Sequence, residues 1–307
     1  MSGPVSVAAE LDDLLAASPA SPVAPEELDE VRADLEIAAA RAAELVDGHD
    51  AAEALPLRLP KGRVASLAEC ERCAVATSRP SADDEARPSV RQLLGRALDV
   101  YVEHEIAEGP VADPLEDLLS WLGARGELDV RDQVQAGADG LDLAPLATAA
   151  RAWAGLDPSW WPRTQASAAV HLAGGAVRCE GRTDVELGGP LSGRPAVVVE
   201  VKLGRPHHGH LAEATHYALL VALRDRRAPA AVARWYPGGT LASMPVGADV
   251  LHSAARRLAD AIGTWAELQV GRTPVERAGP SCAWCPDADR CPTYQDPPDP
   301  FDDAVAP

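Results

Sequence analysis

Two hydrophobic rhythms divide the chain. From residue 167 apolar and polar positions alternate with period two: SAAVHLA (167–173), a Gly174-Gly175 turn, then AVRCE (176–180), the pattern of a β-hairpin. TDVEL (183–187) leads into the turn GGPLSGRP (188–195), and AVVVEVKL (196–203) is an apolar, β-branched run that predicts a buried central strand. AAVARWYP (230–237) predicts a further strand. Between and after these, 208–223 and 248–269 carry the 3.6-residue period of amphipathic helices. Upstream the period is helical almost throughout. Pro25 with Glu26 and Glu27 opens a helix running to about Val46, and 62–74 and 88–107 read as helices. Residues 113–166, with Trp121, Trp153, Trp160 and Trp161, read as a helical insertion. Strand, helix, strand after a helical half predicts an α/β core with a mixed sheet flanked by helices.

Three stretches follow from this: an acidic arm over 1–60 with one helix, its first 25 residues Pro/Ser/Ala-rich and mobile; a domain over 61–295 with an insertion near 108–166; and an acidic tail over 296–307. Apolar residues make up 47% of the 307 and charged residues 24%, so the chain can fill a core. No apolar run is long enough to cross a membrane, and the N-terminus lacks a basic start followed by an apolar stretch, so a cytoplasmic protein is expected.

The net charge of −19 argues against nucleic acid until it is mapped. Residues 1–53 hold 13 acids and two bases, and 296–307 hold four acids and no base, so the body between is nearly balanced. From Glu200 to Trp235 six Lys/Arg and four histidines face three acids. A locally basic face steers a polyanion whatever the total charge. The acidic arm then reads either as a solvated face or as a cover for the basic one.

Glu200 and Lys202 interrupt the apolar run, and charges in a buried strand are costly unless paired or bound to a metal. Alternation sets both on one face of the strand, with Val201 on the other. Asp184 supplies a second carboxylate. Acids of this kind hold a hard divalent cation, and a lysine beside them orients or polarises the attacking water at a phosphodiester. A structural ion pair is the plainer reading.

Cys282, Cys285 and Cys291 have C-x2-C-x5-C spacing, and Cys70 and Cys73 lie some 200 residues upstream. Four thiolates suit zinc or an iron–sulfur cluster. Cys179, inside a strand, reads as core. His207, His208 and His210 follow the Glu200 strand, where contact with DNA or water is the ordinary role and zinc the alternative.

Together GRTD (181–184), AVVVEVKLG (196–204), EATHYALL (213–220) and RAGPSCAWCPDADRC (277–291) resemble the PD-(D/E)XK nucleases of the RecB type, in their iron–sulfur branch. That branch includes AddB-like domains and CRISPR-associated RecB-like exonucleases. The resemblance implies a restriction-endonuclease-like sheet core and a C-terminal cysteine lobe at 277–292. It implies Mg²⁺ or Mn²⁺ on Asp184, Glu200 and the Val201 carbonyl, with Lys202 catalytic. It implies a structural four-iron four-sulfur cluster on Cys73, Cys282, Cys285 and Cys291, with Cys70 the other upstream candidate and zinc the other occupant. Glu213 and Tyr217 stand where the family has Gln-x-x-x-Tyr, so a carboxylate replaces an amide. Where the family has a metal-binding histidine, Asp99 or His104 stands here. The implied activity is hydrolysis of DNA at single strands or ends, and a basic helix with Arg224, Arg226 and Arg227 would track the backbone. No P-loop motif is present, so a helicase partner would be a separate chain. A nuclease-fold subunit that binds DNA or assembles a complex without cutting is the alternative.

Overall fold

The computed structural model describes residues 7–17, 23–49, 51–79, 90–109, 112–137, 152–153, 155–204, 206, 208–237, 241–279, 282 and 285–294. Its centre is a mixed six-stranded sheet: β1 (Leu57–Pro60), β2 (Arg163–Leu172), β3 (Val177–Gly189), β4 (Arg194–Val201), β5 (Ala231–Trp235) and β6 (Ala242–Pro245). β1 runs parallel to β3 and β4 parallel to β5, while the β2–β3, β3–β4 and β5–β6 pairs are antiparallel. Strands β2 and β3 form the expected hairpin, Leu172 facing Val177. β3 runs unbroken through both segments that read as separate in the sequence. β2 starts four residues before Ser167, and the short strands β1 and β6 carry no alternation long enough to detect.

Strand β3 organises the sheet. Val177 to Glu180 pair with β1 on one edge and β2 on the other; Val185 to Leu187 pair with β4, while Val185 and Glu186 also pair with β2. A strand has two edges, so β1 and β4 share one of them. They approach head to head and leave that one edge of β3 unpaired over residues 181–184 between their ends. The chain leaves β1 at Lys61 and β4 at Lys202.

Helices cover both faces. On one lie α2 (Pro25–Asp47), α3 (Lys61–Glu69), α4 (Glu71–Ser78), α8 (His208–Asp225) and α9 (Ala248–Gln269), packed through Leu35, Ala74, Leu219 and Leu258 against Leu59, Val170, Cys179 and Val198. On the other lie α1 (Val7–Ala17), α5 (Val90–Glu108), α6 (Pro114–Ala124) and α7 (Leu128–Gly137), packed through Leu11, Leu98, Leu122 and Val134 against Val185, Val199 and Trp235. The region expected to be an arm with one helix thus holds two helices and a strand, each burying its apolar stripe in one of these cores. The expected helix over 62–74 is two helices, broken at Cys70, whose backbone is extended (φ −154°, ψ 113°). The predicted mobile positions 1–6 and 18–22 and the acidic tail lie outside the described residues. Among those described, no helix is long and apolar enough to cross a membrane.

Candidate functional site

The gap between the ends of β1 and β4 gathers most of the expected residues. Asp184, on the stretch of β3 between those ends, accepts a hydrogen bond through Oδ2 from the Val201 backbone N–H at 2.7 Å, which ties β3 to the end of β4. Glu200 is fully buried. Its Oε2 meets the Lys202 ammonium at 2.9 Å, as one-face alternation predicts. Helix α8 brings Glu213, whose Oε2 lies 2.7 Å from the same Lys202 nitrogen. One turn further along α8, Tyr217 lies flat on β3, its hydroxyl accepting from the Arg182 N–H at 3.3 Å. Only glycine permits this: a Cβ at Gly181 would fall 2.5 Å from Tyr217 Cε1.

Lys61 is the member that sequence reasoning missed. Its ammonium is 3.4 Å from Glu200 Oε2 and 3.2 Å from Glu213 Oε2, and sits 4.9 Å from the centre of the Tyr217 ring. Two lysines and two glutamates therefore form a ring of alternating charge: Glu200, Lys61, Glu213, Lys202. The available signal was weak, because LRLP, the segment before Lys61, ends in a proline and is too short to show strand periodicity. Only pairing with β3 delivers Lys61 to the gap.

The charge balance follows from burial and these pairings. For both lysines burial favours the neutral amine, yet attraction by Glu200 and Glu213 outweighs it and the net shift is upward, so both stay protonated. Burial pushes Glu213 up, but Lys202 and Lys61 bring it down to about 2. Asp184 goes the other way, well above the usual carboxylate range, by burial and then by its neighbours Glu200 and Asp99. Asp99, on α5, is raised to about 6 by burial and Glu200 against the pull of Lys202. Of the two alternatives on α5, then, Asp99 reaches the site. His104 does not; it packs edge-on against Trp121, ring centres 4.8 Å apart, beside Tyr101 and Leu118.

Whether a cation fits here turns on one atom. Glu200 Oε1 is buried without a hydrogen-bond partner, a costly state for a carboxylate oxygen and one that a cation relieves. Asp99 lies close enough to Asp184 to raise it, and oxygens of this kind suit a hard divalent ion. Among the described residues, no group of three or more His, Cys, Asp or Glu side chains converges as a metal-holding set. In this arrangement the lysines hold Glu200 Oε2 and Glu213 Oε2 instead.

The basic and histidine-rich stretch is less uniform than its composition. Arg224 turns inward: its guanidinium grips the fully buried Glu186 at 2.8 and 3.0 Å and also Asp225 at 2.7 Å. It is a structural cation rather than part of a backbone-tracking surface, whereas Arg226 is exposed. His210 shares a 2.8 Å hydrogen bond with the Tyr236 hydroxyl, and His207 lies outside the described residues. His216, fully enclosed, is lowered to about 4 by burial and then by Lys61 and Arg257.

The thiols gather elsewhere. Cys70, Cys73, Cys282, Cys285 and Cys291 border one small cavity with Arg72, Arg277 and Tyr294. Cys73 is pushed up to about 12, by burial and then by its neighbour Cys285, to which it is hydrogen-bonded. Cys70 Sγ instead points to the Val275 carbonyl at 4.0 Å. Cys73 is thus the upstream thiol turned toward the C-terminal set. Cys179 is a core residue, as expected, fully buried among Val177 and Leu59. Ion pairs frame this cavity: Arg72 with Glu276 and Asp287, and Arg272 with Glu71, whose carboxylate also accepts from the Val275 N–H.

A solved structure described as "Crystal structure of SSO0001" is similar to this chain over 66% of its length and 98% of the other's, with 16% identity and a TM-score of 0.31. A likeness of that degree fixes neither architecture nor chemistry. No protein-family model and no curated protein matches the chain.

Proposed function

We propose that this protein is a divalent-metal-dependent DNA nuclease with a restriction-endonuclease-like core, hydrolysing phosphodiesters at single strands or ends. The observation that carries the reading is the buried Glu200, with one oxygen unpartnered and the other on Lys202, beside Asp184 and Asp99 at the gap in the sheet. Asp184, Glu200 and the Val201 carbonyl would hold Mg²⁺ or Mn²⁺, with Asp99 as a further oxygen ligand. A bound divalent ion supplies Lewis-acid stabilisation of charge on the phosphate and eases deprotonation of water. Lys202, protonated and held from two sides by Glu200 and Glu213, acts as a fixed cation that orients the nucleophile and stabilises charge developing at the phosphorus. Glu213 fixes Lys202, and Tyr217 closes the floor of the site over Gly181.

The cysteine cavity is proposed to hold a structural four-iron four-sulfur cluster on Cys73, Cys282, Cys285 and Cys291, with zinc as the alternative occupant. Support comes from the five thiols that border one cavity and from the hydrogen bond that joins Cys73 to Cys285.

The test is degradation of end-labelled single- and double-stranded DNA by anaerobically purified protein with Mn²⁺, beside Lys202→Ala. Wild-type cleavage and a loss of about 10²-fold or more in the variant are expected, the scale of a positioned charge or proton donor. A second reading, a nuclease-fold subunit that binds without cutting, is favoured by the ion-pair ring, which engages one oxygen on each of Glu200 and Glu213. Equal absence of cleavage from both folded proteins selects it.

A further inference from the structure

The ring at the gap contains one lysine more than the proposed chemistry uses. Lys61 and Lys202 touch the same two oxygens, but they are mounted differently. Lys202 directly follows β4 and its side chain is 14% exposed; Lys61 follows Pro60 at the start of α3 and is 26% exposed. The strand and helix pin the Lys61 backbone, while its long side chain stays nearly twice as exposed as that of Lys202.

Four carboxylates (Asp99, Asp184, Glu200, Glu213) face two ammoniums here. Fully ionised, they leave two negative charges, the amount one divalent cation neutralises. The nearby Glu103 is matched separately by Arg125 at 2.6 Å. Without Lys61 the set would carry three negative charges, and Glu200 Oε2 would lose one of its two cationic partners. A divalent ion at Glu200 and the Lys61 ammonium repel one another over a few ångströms in a low-dielectric setting, so each weakens the hold of the other.

We infer that Lys61 is a positioning residue that sets metal affinity: a tethered ammonium that neutralises Glu213 and occupies Glu200 until a divalent cation displaces it. The inference rests on the metal-dependent reading of the site and adds a residue that reading does not use. It leaves the empty site with two unbalanced negative charges rather than three, and selective for ions able to outcompete an ammonium.

The test is Mn²⁺ binding without DNA, followed through the paramagnetic signal of free Mn²⁺, on the full chain with its folding checked by thermal unfolding in EDTA. Lys61→Met is expected to bind Mn²⁺ about tenfold or more tightly than wild type, because a unit charge beside a divalent ion is removed. Lys61→Arg keeps the charge and is expected to stay within about threefold of wild type. Glu213→Gln is expected to bind about tenfold more weakly, and Lys61→Met/Glu213→Gln to return close to wild type. If Lys61→Met does not fold, the comparison of that double variant with Glu213→Gln alone carries the same test. Unchanged or weaker binding on loss of Lys61, with wild type binding normally, overturns this inference and leaves the nuclease reading standing. No Mn²⁺ binding and no cleavage by folded wild type overturns both.

Discussion

A methyl group added at Gly181 would lie 2.5 Å from Tyr217 Cε1, closer than real Cβ atoms come to a ring. Tyr217 cannot simply swing away, because its hydroxyl takes the Arg182 N–H and its ring lies under the Lys61 ammonium. Gly181→Ala is therefore expected to cost about 1–3 kcal/mol, the range of overpacking in a filled core. Urea unfolding should show it, and Tyr217→Ala in the same chain should recover part of the loss. Single residues were unevenly legible in the sequence. Glu200 and Lys202 stood out because charges inside an apolar β run demand an explanation, and their common face followed from alternation alone. Lys61 did not stand out, since lysine after a short Pro-terminated segment looks like any solvated helix start. Arg224 misled for a related reason: composition counts a guanidinium as surface charge, whereas a buried Glu186 on a distant strand claims it.

At the scale of elements, Glu186 fastens three of them. From β3 it receives Arg163 of β2 at 2.7 Å, Arg224 of α8 and the Thr183 hydroxyl at 2.8 Å, while itself fully buried. Glu186→Gln leaves two guanidiniums short of a charge. It is expected to cost about 2–3 kcal/mol, less than the roughly 3–5 of a wholly buried pair because both arginines are part-exposed. Chemical denaturation measures this, and a fall in midpoint with an unchanged slope is the expected form. The long helices α2 and α9 were legible from their periodicity, because one face of each meets the core, and the strands β4 and β5 from apolar runs that both cores bury. The strand β1 was not, and with it went the geometry of the site: a four-residue parallel strand is recognised by its partner, not by its own pattern. The break at Cys70 was equally hidden, since residues on either side continue a helical spacing that the extended backbone interrupts.

Across the whole molecule, the site makes stability depend on pH in a calculable direction. Asp99, raised to about 6, and Asp184, raised well above its usual range, each hold a proton when folded at a pH where the unfolded chain has released it. Stability from these two is full below the unfolded carboxylate range, near 4, and is lost as pH rises through the folded values. Glu213, lowered to about 2, acts oppositely: its contribution is present above the unfolded range, near 4.3, and is lost as pH falls toward 2. In metal-free buffer the melting temperature is expected to drop by a few degrees between about pH 4 and 7 on account of the aspartates. Asp99→Asn should flatten that decline, as differential scanning calorimetry across the range would show. The acidic N-terminal stretch plays another part than its charge suggested: with its helices seated in both cores, deleting it would expose apolar surface rather than uncover a basic face.

The ion pairs around the cysteine cavity have a practical consequence. Glu71 and Arg72 near the start of the domain hold Arg272, Glu276 and Asp287 near its end through contacts that involve no sulfur. If the cavity holds the proposed cluster, chelation or air oxidation would therefore remove it without parting the two segments. The emptied protein should stay in one piece, resist proteolysis at Arg272 and Arg277 in dilute buffer, and yield only once salt screens the bridges. Loading of the proposed cluster would then proceed onto a framework already assembled, with no need to denature and refold the chain.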